Sequence, residues 1–231
     1  MSRLRDVRRR TSYHFNRLPE WLRLSLTALA ALTFFGLGGI IAWATFMPIP
    51  AINSFENRQV AESTKIYDRT GNIVLYDVHG SVRRTSVPLE QISPNIQKAT
   101  IAIEDASFYE HHGFRPTRFL LAAWADITTG TFGQGGSTIT QQVVKNALLT
   151  RKKTPTRKLQ EIILAIRLER VFSKDEILSV YLNENPYGGT IYGVQEASQY
   201  FFGVDAKDVT LAQAAYLAAL PQAPTYYSPH G

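Results

Sequence analysis

The chain has 231 residues, with 25 Lys+Arg against 19 Asp+Glu, no Cys and 45% hydrophobic residues. That length and composition exclude wholesale disorder, a collagen-like repeat and a disulfide-stapled scaffold, and the lack of Cys removes thiol catalysis and Cys zinc sites. The net charge of +6 and a pI near 9.5 point first to nucleic acid or anionic lipid. Residues 1–23 carry +5, 24–144 carry −1, 145–174 carry +7 and 175–231 carry −5, so the excess comes from two separate basic blocks.

The first block (Arg3, Arg5, Arg8, Arg9, Arg10, Arg17, Arg23) precedes an uncharged apolar stretch from Leu24 to Met47. Its 24 residues exceed the roughly 20 needed to cross a bilayer as a helix. Trp21 and Trp43 lie near its ends, where indoles favour the interface, and the arginines predict a cytoplasmic tail at 1–23. MPIPAIN is a poor small-x-small cleavage site, so 24–47 is expected to be an uncleaved single transmembrane helix rather than a signal peptide. Residues 48–90 read as an extended linker and β-hairpin segment. STKIYDRTGNIVLYDV predicts two strands around a turn at Asp68–Asn72, and Val82–Val87 predicts a further strand.

From Ser93-Pro94 the pattern becomes helical, with Ser93 or Asn95 as cap and Ile96, Ala99 and Ile103 at helical spacing. Further helices are expected at about 115–128, 137–149, 156–172, 174–184, 191–201 and 210–220. Ser173 and Glu176 form a capping-box signature. Residues 91–231 therefore read as one compact domain, and the fold class as mainly α. The aromatic series Tyr181, Tyr187, Tyr192, Tyr200, Phe201 and Phe202 is expected to serve the core.

Three clusters are candidates for chemistry. Glu104-Asp105 is the first: continued helical spacing would place Ile101, Phe108 and His111 beside Glu104, and such apolar company raises a carboxyl pKa toward acid–base use. A solvent-facing pair near a helix end is the competing reading, and the residues alone favour it. The second is the run from Gly135 to Asn146. Glycines followed by Ser137 and Thr138 read as the loop and N-cap of a helix, whose free N–H groups attract anions. Gln142, Lys145 and Asn146 then share one face. The third is Arg151-Lys152-Lys153 with Arg157, Lys158 and Glu161. That density of cations suits a pyrophosphate or an anionic membrane surface, while Arg157–Glu161 reads equally as an ordinary helix pair. His111 and His112 lack zinc spacing, and no GxSxG motif is present.

These residues resemble the peptidoglycan glycosyltransferases (family 51). The resemblance is carried by Ile103 to Gly113, Gly135 to Asn146, Arg157 to Glu161, Lys174 to Asn183 with Gly188 and Tyr192-Gly193, and Leu211 to Pro224. The apolar anchor and the IYDRTGNIV segment look like the start of a class A bifunctional penicillin-binding protein. The resemblance implies a lysozyme-like domain and a piece of a longer enzyme that continues into a transpeptidase, for which no SxxK, SxN and KTG set is present here. Two positions depart from the pattern: Gln213 stands where an acid is usual, and Tyr187-Gly188 where Phe-Gly is common.

What the resemblance implies is polymerisation of lipid II into β-1,4 glycan with inversion and release of undecaprenyl pyrophosphate. Glu104 matches the general base and Glu161 the second family carboxylate, near the donor pyrophosphate or its metal. Asp105, Ser137, Thr138, Gln141, Gln142, Lys145, Asn146, Lys153, Arg157 and Lys158 are expected to bind substrate. Mg²⁺ or Mn²⁺ at Glu161 comes from the resemblance alone, since no ligand spacing shows it. The implied partners are lipid II, the growing glycan, the bilayer and other cell-wall synthesis proteins, with no nucleic acid. The implied place is the bacterial plasma membrane, catalytic domain outside, with moenomycin as an inhibitor class. Residues 114–132, apolar and flanked by Arg115 and Arg118, are expected to dip into the membrane interface. A lytic transglycosylase or hydrolase, and an inactive lipid-phosphate-binding scaffold, are the alternatives; the cationic 145–158 block favours the synthase over the hydrolase.

Overall fold

The structure is a computed structural model that describes residues 18–46, 62–71, 74–78, 82–129, 136–149 and 154–222. It divides into two compact units, Met1–Pro48 and Ile49–Gly231.

In the first unit a 27-residue helix, α1 (Glu20–Phe46), forms where the apolar stretch predicts one. The Pro19 carbonyl accepts the N–H groups of Leu22 and Arg23 and so starts it. The hydroxyls of Ser25 and Thr27 turn back onto the carbonyls of Trp21 and Arg23, which hides their polarity within the helix. Leu24, Leu29, Leu32, Phe34 and Phe35 are exposed. Among the described residues no helix is long and apolar enough to cross a membrane; the side chains of Leu37, Ile40, Ile41 and Trp43 lie outside that set, as does the arginine-rich tail up to Arg17.

The second unit begins with an antiparallel hairpin of β1 (Thr64–Tyr67) and β2 (Val74–Val78). A second sheet has the order β3 (Arg83–Arg84), β5 (Ile191–Tyr192), β4 (Pro186–Gly188), with β3 parallel to β5. The sequence pattern assigns 191–192 to the start of a helix, and the structure corrects this. Gly193 has φ +80, which a right-handed helix does not accommodate, and a Cβ there would stand 2.5 Å from the Asn183 carbonyl oxygen. The strand's partner is Arg83, whose N–H donates to Thr190 O at 2.8 Å from far back in the chain. That pairing has no local signature.

Among the described residues the unit also holds seven α-helices: α2 (Pro94–Glu104), α3 (Pro116–Thr129), α4 (Ile139–Ala147), α5 (Pro155–Leu168), α6 (Lys174–Glu184), α7 (Val194–Phe202) and α8 (Leu211–Ala219). The mainly α expectation therefore holds. Their starts follow side-chain chemistry: Ser93 Oγ accepts from Asn95 N at 3.2 Å, and capping boxes open α4, α6 and α8 at Thr138, Ser173 and Thr210. Gln213 accepts the Thr210 N–H at 2.8 Å. Gln213 thus closes the capping box at the position where the resemblance leads one to expect an acid.

α8 packs on α2, and α4 packs on both α5 and α6. Ile96, Val144, Leu164, Leu182 and Leu217 are fully buried between them, each such side chain being worth about 1.5–3 kcal/mol against exposure. Tyr181 and Tyr187 join this core, whereas Tyr200 is exposed. Phe201 and Phe202 meet Tyr216 edge-on with ring centroids 5.6 and 5.7 Å apart.

Candidate functional site

The site is assembled at the junction of α2, the turn that follows it, and the start of α4. α2 stops at Glu104 because Asp105 takes φ −157 and ψ 74. Helical spacing therefore does not carry on to Phe108 and His111, and the expected face beyond Glu104 does not exist. A succession of turns does the work instead. Phe108 N–H donates to Asp105 O at 2.8 Å, Phe108 is fully buried, and His111 returns to Asp105 rather than to Glu104.

Asp105 is 1% exposed. Its Oδ2 lies 2.7 Å from His111 Nε2 and accepts the Ile139 N–H at 3.3 Å, while Oδ1 lies 3.4 Å from an Arg115 guanidinium nitrogen. The carboxylate thus sits on the positive end of α4, with the Arg115 guanidinium on one oxygen and the His111 ring on the other. Thr138 and Gln141, also buried, are engaged in the same helix start. Thr138 Oγ1 accepts from Gln141 N at 3.2 Å and donates to Gly113 O at 2.9 Å, and Gln141 Oε1 accepts from Thr138 N at 2.9 Å. Gly113 has φ +81, and a Cβ on it would lie 2.7 Å from the Ala165 backbone. This close approach presses the loop onto α5.

Glu104 is half-buried and its Oε2 accepts from Gln142 Nε2 at 2.6 Å. Burial pushes its carboxyl above the ordinary value, and Asp105 adds to that; the Gln142 hydrogen bond, Lys145 and Arg118 oppose without cancelling it. Lys145 is held below the usual ammonium range by burial, reinforced by Lys158 and Arg157, while Glu161 and Glu104 pull the other way. The one ammonium therefore feels both carboxylates named from the sequence.

Glu161 is 2% exposed on α5. Lys158 Nζ lies 3.1 Å from its Oε2 and also donates to Ser137 Oγ at 2.7 Å, which ties α5 to the loop before α4. Arg157 Nε is 3.1 Å from Oε1, yet neither atom has an aligned hydrogen-bond partner. The pair is held by charge rather than by a directed bond. Asn146 Nδ2 donates to Asn185 Oδ1 at 3.1 Å, beside a small cleft also lined by Val143, Val180, Tyr181 and Glu184. Lys153, with Arg151 and Lys152, lies outside the described residues.

The Glu161 carboxylate is paired with Arg157 and Lys158, and among the described residues no group of three or more His, Cys, Asp or Glu stands together as a metal cluster.

The structure thus draws Glu104, Gln142 and Lys145 together, and separately Ser137, Lys158, Arg157 and Glu161. It places Asp105, Thr138 and Gln141 in the frame beneath them. Sequence reasoning missed the tasks of His111, Arg115 and Arg118, and the phenols of Tyr181 and Tyr187, both of which feel the Glu104 charge. Their residue types were visible in the sequence; their convergence depends on the turns after α2.

A carboxyl raised by burial beside a row of cations is suited to taking a proton from a hydroxyl while an anionic leaving group is held nearby. The transglycosylase family model matches residues 72–231, and the chain belongs to that family. It is 43% identical over 213 residues to penicillin-binding protein 2D of Bacillus subtilis (strain 168), covering 90% of this chain and 31% of that protein. It is 45% identical over 195 residues to penicillin-binding protein 1A/1B of the same organism, covering 84% of this chain and 21% of the relative. To penicillin-binding protein 1A of Escherichia coli (strain K12) it is 40% identical over 181 residues, covering 78% and 21%. The chain thus spans about a fifth to a third of the length of these relatives.

Proposed function

We propose that this chain polymerises lipid II, with Glu104 as general base and the α4–α5 cations as the donor-phosphate site, on a lysozyme-like helical domain. The acceptor 4-hydroxyl gives its proton to Glu104 as its oxygen attacks the anomeric carbon of the donor chain. The bond from that carbon to the pyrophosphate breaks with inversion, and the pyrophosphate leaves with the electron pair. Lys145, Lys158 and Arg157 offset the charge that develops on it. Lys153 and Asn146 are assigned to the same substrate surface, and no step is routed through Mg²⁺ or Mn²⁺. The observation that carries the reading is the half-buried Glu104, raised by burial and held by Gln142, with Lys145 sensing both it and Glu161.

A lipid-linked substrate places the reaction at a bilayer. α1 supports an anchor by being apolar on every described face, with the arginine tail on the cytoplasmic side of the plasma membrane and the catalytic unit outside. α3 supports interfacial contact through exposed Phe119, Leu120, Leu121 and Trp124. Other cell-wall synthesis proteins are the natural protein partners of such an enzyme.

The test is polymerisation of labelled lipid II with and without moenomycin. Glycan that lengthens, is suppressed by moenomycin, and falls at least about a hundredfold in Glu104→Gln supports the reading. Shortening of sacculi without polymer formation would replace it with a hydrolase, and an inert wild-type protein that still binds lipid phosphate would make it a scaffold.

A further inference from the structure

Glu104 and Asp105 are consecutive, yet they grip α4 at two levels. Asp105 Oδ2 takes the Ile139 N–H at 3.3 Å, and Glu104 Oε2 takes Gln142 Nε2 at 2.6 Å. Ile139 and Gln142 are three residues apart, so they stack on one face about one turn from each other. The lower grip is rigid: Asp105 is buried and also held by His111 and Arg115, and the capping box of Thr138 and Gln141 fixes the same turn. The upper grip therefore presents the Gln142 amide to Glu104 from a helix whose register is already set.

The charged and titratable groups that face Glu104 are Asp105 from its own segment, Arg118 from α3, Lys145 from α4, and the phenols of Tyr181 on α6 and Tyr187 on β4. Among the described residues, only Gln142 makes a direct side-chain hydrogen bond to it. An uncharged amide is a fitting partner here. It directs one carboxylate oxygen without the full ion pair that would abolish basicity.

We propose that Gln142 is the positioning residue of Glu104: it holds Oε2 so that Oε1 is turned to the acceptor hydroxyl, and it is not a ligand of the donor pyrophosphate. The inference rests on the glycosyltransferase reading above.

The experiment is initial-rate polymerisation of lipid II between pH 5 and 9 by Gln142→Ala, Gln142→Glu and Gln142→Asn, with thermal unfolding followed in parallel. Loss of the amide donor removes stabilisation of the charged carboxylate. In Gln142→Ala the acidic limb of kcat is expected to move up by about one pH unit, with kcat about tenfold lower and the donor KM within about twofold. Gln142→Glu brings a like charge against Glu104 and is expected to move the limb further in the same direction. Should Gln142→Ala fail to fold, Gln142→Asn, a shorter amide out of reach, is expected to show the same shift. A raised donor KM with an unmoved limb would make Gln142 a phosphate ligand and overturn the proposal; an unchanged profile in all three variants would overturn it too. Glu104→Gln is run alongside: wild-type rates in that variant would remove Glu104 as base, a failure separate from any behaviour of Gln142.

Discussion

α3 and α4 are consecutive helices that obey the same rules of local structure and use their apolar residues in opposite ways. In α4, Ile139, Val143 and Val144 are all less than 5% exposed, whereas in α3, Leu120, Leu121 and Trp124 are 66–68% exposed. α4 is secured by a capping box, by a buried carboxylate on its first turn, and by helices on two sides. α3 contributes Arg118 to the field at Glu104 and leaves much of its apolar surface uncovered. The pair separates two demands on one site: atoms that must not move relative to each other, and a surface that, under the proposed function, meets a lipid-linked substrate.

The sharpest way to break this contrast is at Asp105. Asp105→Ala leaves the Ile139 N–H, the His111 ring and the Arg115 guanidinium without their common partner, and is expected to cost about 3 kcal/mol in urea unfolding. A loss below about 1 kcal/mol would mean that the start of α4 is held by its capping box alone. Gly113→Ala comes next, at about 2 kcal/mol by the same measurement, because the new Cβ meets the Ala165 backbone at positive φ. A fully stable variant would show that the loop can lift from α5.

Glu104 tests the same frame through pH. Its folded-state pKa is raised above the ordinary 4.5, so between those values the folded chain binds more proton than the unfolded chain. The wild type therefore loses stability as pH rises through that window. Glu104→Gln, which keeps an oxygen for Gln142 to bind, is expected to be more stable than the wild type at pH 7 and no more stable at pH 4. Equal stability at both values would place Glu104 in an ordinary solvent environment. The smallest effect on stability is expected on α3. Phe119, Leu120 and Trp124 replaced together by Ser should change unfolding by less than about 1 kcal/mol while lowering partition onto anionic liposomes at least about tenfold. A large loss of stability with unchanged partition would turn α3 into a core helix.

The sequence made some of this plain because the causes are local. Ser93, Thr138 and Ser173 each announce a helix start within four residues, and the spacing of Arg157, Lys158 and Glu161 announces a charge cluster on one face. What it could not show is how deeply Glu161 is buried, since burial comes from the helices around it. His111 illustrates the limit best. Its proximity to the acidic pair was anticipated by continuing a helix through Asp105, but α2 ends at Glu104, and the histidine reaches the neighbouring carboxylate through turns. β5 was hidden for the same reason: besides its neighbour β4 it pairs with β3, whose Arg83 and Arg84 come from a remote part of the chain.

The segment before the helices has a consequence for anyone trimming this protein. Asn183 on α6 uses its side-chain amide as a strand would use its backbone, donating to Val87 O and accepting from Val87 N, both at 2.9 Å. Glu196 on α7, 4% exposed, is bound by Lys65 and by the Thr85 hydroxyl. A version cut to begin at residue 91 would keep every proposed reacting group and yet strand one carboxylate in the interior without its ammonium. The smallest autonomous piece is therefore set by Lys65 and its neighbours, upstream of the first helix that touches the chemistry.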